Sequence, residues 1–302
     1  MDQGLNDVVE SGPELLADGF GFTEGPLWHP DGHWEFVDIR KNTIHGLRPG
    51  GKTETVRENS GGSNGMTFDL RGNVIVCEGD NRRITRREAN GYYTTIADQI
   101  GGKKIHRPND VICRSDGSLY FSDLGGRLAP EDRELEYNGV HRIAPDGSVS
   151  NATSDTEFPN GLAFSPDESI LYVAITRLDD TCIQEKERGE ICRHQFIRAF
   201  DVAADGSLSN NRVFADMFSK EDGVPDGMKV DVEGNVYCGG SGGVWVLDPS
   251  GKHLGTIAHG ETATTNVAFG GDDWKTLFFT SRNTLGSVQC KIAGLPVPAG
   301  GG

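Results

Sequence analysis

Apolar and polar positions alternate along this chain in short runs, not at helical spacing, and one run–turn–run pattern recurs. Its copies are EGPLWHPDGHWEFVD from Glu24, NGMTFDLRGNVIVCE from Asn64, NDVICRSDGSLYFSD from Asn109, NGLAFSPDESILYVA from Asn160, DGMKVDVEGNVYCGG from Asp226 and NVAFGGDDWKTLFFTS from Asn266. Each reads as a short strand, a tight turn carrying Asp, Gly or Pro, and a second strand, which is a β-hairpin pattern. Successive copies begin 40, 45, 51, 66 and 40 residues apart. Between them lie further strand-like runs such as 139–150 and 243–257, each with its own turn. The unit therefore holds about four strands, and four-stranded units repeated radially are propeller blades. The pattern predicts an all-β, six-bladed propeller of antiparallel blades around a central channel. The last unit is split between the termini, which suits a ring closed by pairing an N-terminal strand with C-terminal ones and so hides sheet edges.

Composition narrows the picture. Forty-two glycines and 13 prolines exclude a helical bundle. We expect one domain over residues 1–302, with its core at about 18–292 and loosely held tails at both ends, the first dozen residues included. The formal charge of −16 argues against nucleic acid or an anionic membrane surface as partner. RRITRR at 82–87 is the one basic cluster and reads as a solvated strand face. No apolar run reaches a membrane-spanning length and no leader is visible in MDQGLNDVVESG, so a cytoplasmic chain, a monomer or weak homo-oligomer, is expected. Cys77, Cys113, Cys238 and Cys290 fall in strand-like runs and read as small buried apolar residues. Cys182 and Cys192 bracket a charged insertion; two free thiols are expected, with a small closed loop as the alternative.

The repeat also carries chemistry. The first strand of every blade lines the axis, so residues at one register form a ring: Glu24, Asn64, Asn109, Asn160, Asp226 and Asn266. All six bear a side-chain carbonyl or carboxylate. Asn and Asp favour turns at strand starts, but that does not account for Glu24. Convergent oxygens without His or Cys suit a hard divalent cation such as Ca²⁺, Mg²⁺ or Mn²⁺, whose charge Glu24 and Asp226 would balance. A cation with open positions polarises a carbonyl oxygen, which is a hydrolase arrangement. Asp226, in a Pro-Asp-Gly turn, is the better candidate base; Glu24, before Gly-Pro, reads as a fixed ligand. Arg107 and His106 precede Asn109 and are candidate substrate contacts, as are Asn109 and Asn64, although His106 reads somewhat better as a surface loop histidine facing away. His29 and His33 flank a PDG turn, not a helix, and are read as lacking metal-ligand spacing.

These residues bring out a resemblance. EGP at 24–26, RPND at 107–110, PNGLAFSPDESILYV at 159–173 and PDG at 225–227 followed by MKVDVEGNVY resemble the SMP-30/gluconolactonase/LRE family over about residues 18–290. The resemblance implies sugar-lactone hydrolysis with one divalent cation deep in the channel, Ca²⁺ first, with Mg²⁺, Mn²⁺ or Zn²⁺ as alternatives. It implies Glu24, Asn160 and Asp226 as metal ligands, Asp226 as general base, Asn109 in contact with substrate or metal, and Arg107 in contact with substrate as in some members. The insertion at 178–195 and the acidic loop at 130–136 depart from the family core and leave the lactone's identity open. A phosphotriester hydrolase on the same site and a non-catalytic calcium-binding scaffold are the alternatives.

Overall fold

The computed structural model describes residues 4–126, 128–176, 188–189, 195–219, 221–260 and 263–297. Six four-stranded antiparallel sheets stand around one axis, as the repeat predicts. The innermost strands are Thr23–His29, Ser63–Phe68, Pro108–Cys113, Pro159–Phe164, Met228–Val230 and Asn266–Gly270, which we assign to blades I to VI. Each packs against the inner strand of the next blade, and the sixth against the first. Glu14–Ala17 forms the outer strand of blade VI by pairing with Thr284–Gln289, so the two ends of the chain close the ring together.

The core is divided among the gaps between blades. Leu27, Val37 and Ile44 meet Met66, Phe68 and Val76 between blades I and II. Trp28, Trp34 and Phe36 meet Ala268, Phe278 and Leu285 between I and VI. The remaining gaps are filled in the same way. Both faces of a blade are therefore buried, which explains why second strands such as Val74–Glu78 and Ile170–Thr176 read as near-continuous apolar runs instead of strict alternation. Cys77, Cys113, Cys238 and Cys290 are free and buried in these layers, and burial pushes the thiols of Cys113 and Cys290 up to about 12. Cys182 and Cys192 lie outside the described residues. In the 82–87 cluster, Arg83, Arg86 and Arg87 pair with Glu78, Glu88 and Glu35.

The tails are not loose where they are described. Leu5–Val8 is one helical turn; Leu5, Val8 and Val9 are buried against Tyr237, Val244 and Cys290. Polar Asn6 and Asp7 between them hide the pattern, because four residues are too few for a helical period to register in sequence. At the other end, Leu295 packs against the layer between blades IV and V and Val297 against that between I and II. The C-terminal segment thus crosses the channel end that Thr67, Ile112, Leu162 and Lys229 line.

Leu5→Ala is expected to cost about 2–5 kcal/mol of unfolding free energy, the usual range for truncating a buried leucine. Chemical denaturation measures it. An unchanged midpoint would return this segment to the status of a loose tail.

Candidate active site

Four of the six ring residues sit at a shared irregularity of the inner strand. In blade I, Glu24 pairs with Val37 but Leu27 with Glu35, so the inner strand spends one residue more than its neighbour. The same extra residue occurs between Ser63 and Met66, between Pro108 and Val111, and between Pro159 and Leu162. Such bulges re-aim a side chain. Here they fall at Asn64, Asn109 and Asn160 and one residue beyond Glu24. In blade V, Asp226 precedes a shortened inner strand, and its backbone N–H donates to Gly239. Asn266 sits in regular pairing with Thr280.

The bulges also bring neighbouring backbones close. A Cβ on Gly25 would lie 2.0 Å from the Asn64 carbonyl oxygen, one on Gly65 2.3 Å from Asp110 Oδ1, and one on Gly161 2.2 Å from the Asp226 carbonyl oxygen. Gly25 has φ +50 besides. Only glycine fits these places. In blade III the residue after the ring position is Asp110 instead, buried on the axis and not anticipated from the sequence. The signal was there: the residue following the ring position is glycine in four blades, valine in one and aspartate in this one.

Glu24 is buried, and its Oε2 accepts from Gly25 N and Asn266 Nδ2, both at 2.9 Å. Burial pushes its carboxyl up to about 7, against the pull of these two bonds; Asp110 pushes further up and Lys229 pulls back. Asp110 is likewise raised, first by burial, with Lys229 and the Asn266 amide opposing. Its Oδ1 accepts from Val111 N at 3.1 Å. Glu24 and Asp110 thus act on each other with the Lys229 ammonium near both, a pairing absent from the sequence count of Glu24 and Asp226.

Asn64 Oδ1, Asn160 Oδ1 and Asp110 Oδ2 are buried without a hydrogen-bond partner. Leaving such a group unpaired costs about 1–3 kcal/mol. Bare oxygens beside buried carboxylates fit a hard cation, and the donor set contains no nitrogen or sulfur. Asn64, Asn109 and Asn160 line a cavity of about 330 Å³ above the ring, together with Arg107, Leu124 and Phe158. The Arg107 guanidinium is held at the cavity by Asp80, 2.5 Å from Nη2 to Oδ1. His106 is placed elsewhere. It is buried, its Nε2 lies 3.1 Å from the Leu135 carbonyl, and its backbone N–H donates to Asp123 Oδ2. Burial lowers its pKa.

Leu124 and Gly126, at the start of the acidic connection, border the cavity. So does Thr176, whose pairing with Gln195 brackets the insertion, nearly all of which lies outside the described residues. A separate cluster appears on blade I. His29, Asp31 and His33, set aside in the sequence, bring one potential ligand atom each within 4.8 Å of one another.

The described strands close into a six-bladed propeller with buried side-chain oxygens at its inner strands. The SMP-30/gluconolactonase/LRE-like family model matches residues 22–283, and the chain belongs to that family. A gluconolactonase of Zymomonas mobilis is 28% identical, covering 93% of this chain and 82% of its own. XC5397 from Xanthomonas campestris, a gluconolactonase, superposes with TM-score 0.82 at 30% identity over 96% of this chain and 93% of its own. The calcium-binding regucalcin of Agrobacterium tumefaciens shares the fold, with TM-score 0.75 at 20% identity over 95% of this chain and 96% of its own.

The raised Glu24 carboxyl has a consequence for stability. A carboxyl whose pKa rises on folding is favourable while protonated, and that contribution is lost as pH climbs from about 4.5 to about 7. In EDTA, the melting temperature of the protein relative to Glu24→Gln is expected to fall across this window. Added Ca²⁺ should restore it at the upper end. A difference that stays flat with pH would show that Glu24 ionises as if solvated.

Proposed function

We propose that the protein is a divalent-cation-dependent hydrolase that opens a small lactone, with the channel ring as its catalytic centre. The observation that carries this reading is the set of unpartnered buried oxygens of Asn64, Asn160 and Asp110 beneath a cavity edged by a guanidinium. Glu24, Asn160 and Asp226 would hold the cation, with Ca²⁺ favoured by the all-oxygen donors. Bound there, a divalent ion would supply Lewis acidity toward the lactone carbonyl oxygen. The lactonase names carried by the relatives agree with such a substrate.

The chain's own residues divide the remaining work. The Asp226 carboxylate accepts the proton from the water that attacks the carbonyl carbon, and later returns it to the alkoxide released when the ring C–O bond breaks. Asn109 and Asn64, on the cavity floor, offer amide N–H donors to substrate hydroxyls. Arg107 spends one N–H on Asp80 and keeps others for the sugar's oxygens in a fixed fork. Phe158 and Leu124 give the cavity an apolar wall that excludes bulk water. Asn266 holds Glu24 Oε2 and so fixes the orientation of that carboxylate.

Asp226→Ala is expected to lower hydrolysis of glucono-δ-lactone by about 10²–10⁴-fold while the far-ultraviolet spectrum stays unchanged. EDTA should abolish activity and Ca²⁺ or Mn²⁺ restore it. Full activity in Asp226→Ala, or turnover of a fluorophosphate in preference to any lactone, would overturn the reading. Arg107→Ala is expected to raise KM by about 10- to 100-fold with a smaller effect on kcat, as for loss of a charged hydrogen bond. An unchanged KM would move Arg107 out of the substrate's reach.

A further inference from the structure

The hairpin of blade I carries a second constellation, at the other end of the same strand. Thr23–His29 and His33–Asp38 are joined by Pro30, Asp31 and Gly32, and His29 is the cross-strand partner of His33. Directly opposed residues project to one face. Their imidazoles accordingly stack, centroids 4.4 Å apart and planes 16° from parallel. The turn folds Asp31 back so that Oδ1 lies 2.5 Å from His33 Nδ1. Gly32, at φ +81, allows that reversal. Phe68 of blade II meets the edge of the His29 ring at 4.9 Å and limits its rotation.

Beneath the two rings lies Glu35, two residues beyond His33 on the same face and only 2% exposed. Its Oε2 is 3.3 Å from His29 Nε2 and its Oε1 3.6 Å from His33 Nε2. Both oxygens also accept from Arg87 Nη1, at 2.9 and 3.0 Å. A buried carboxylate in contact with two imidazoles is the outer-shell arrangement that orients histidine ligands. Arg87, paired with Glu35, also lies 3.5 Å from His29 Nε2 through its Nη2. Arg48 approaches Asp31 Oδ2 only at 3.6 Å from solvent.

We propose that His29, Asp31 and His33 form a second cation site, specific for a divalent transition-metal ion such as Zn²⁺, with Glu35 orienting the imidazoles. Two nitrogen donors and one carboxylate select this class over Ca²⁺ or Mg²⁺. The site is independent of the channel. His29 and Glu24 stand five residues apart along one strand, about 16 Å at the usual rise. Three protein ligands on an open hairpin leave room for water or an exogenous donor, because Asp31 is exposed and the depression is lined by side chains of blades I and II.

The experiment is titration with ZnCl₂ in saturating Ca²⁺, followed by calorimetry, with Co²⁺ visible absorption as a report on imidazole ligation. One equivalent of Zn²⁺ is expected to bind to the wild type and to Asp226→Ala alike. Affinity should fall at least tenfold in His33→Ala and in Asp31→Asn, the latter an exposed turn position whose change leaves lactone hydrolysis intact. Loss of Zn²⁺ binding in Asp226→Ala would assign the ion to the channel and overturn the proposal. Unchanged affinity in both hairpin variants, or a Co²⁺ spectrum without imidazole character, would overturn it as well.

Discussion

The close approach of six inner strands at the channel axis is the constraint on which this molecule turns. Strands of adjacent blades come near enough that Gly25, Gly65 and Gly161 have no space for a Cβ. That proximity is possible because the bulged strands spend an extra residue at this level. It is maintained by the apolar layers between blades, where each large buried side chain contributes about 1.5–3 kcal/mol. The ring of oxygens follows from the same geometry. Glu24, Asn64 and Asn160, each just before or within a bulge and followed by a glycine lying against the next blade, have little freedom except to face the axis. The unpaired oxygens of Asn64, Asn160 and Asp110 are therefore held in place by packing elsewhere, as expected where a site is strained by its scaffold.

Electrostatics on the axis sharpen that reading. Glu24 and Asp110, both buried, disfavour each other's ionised form. Lys229, on the side toward the far end, draws both Glu24 and Asp110 down. The sequence count of two carboxylates omitted both Asp110 and Lys229. Asn266 links the parts, since its amide holds Glu24 and also favours the ionised form of Asp110.

Much of this was legible in the chain, and the gaps have physical reasons. Blade number, strand number and ring closure could be read because hairpins repeat and turn residues punctuate them. The ring positions could be read because they begin each copy. Asp110 escaped because attention to one register ignored the next, where glycine is the rule. Arg107 was placed near the cavity by its spacing from Asn109, but its anchor Asp80 is on another blade and nothing local connects them. The inward turn of His106 to the Leu135 carbonyl depends on a connection without a periodic pattern. The docked N-terminal turn was too short to show a period. The four-residue spacing of His29 and His33 signals a shared face only on a helix, and the intervening PDG turn excludes one. On a hairpin, the same spacing makes two residues cross-strand partners.

That last point bears on how one blade can host two different chemistries. A bulge at the channel end of the blade I strand directs an oxygen donor at the axis. Regular pairing at its other end sets two imidazoles side by side over a buried carboxylate. Their donors suit different classes of ion. Leu27 and Trp28, between the two ends, are buried in the layers against blades II and VI. The propeller core thus does more than support a channel: it isolates sites at opposite ends of a single strand, so that ligation at one need not disturb the other.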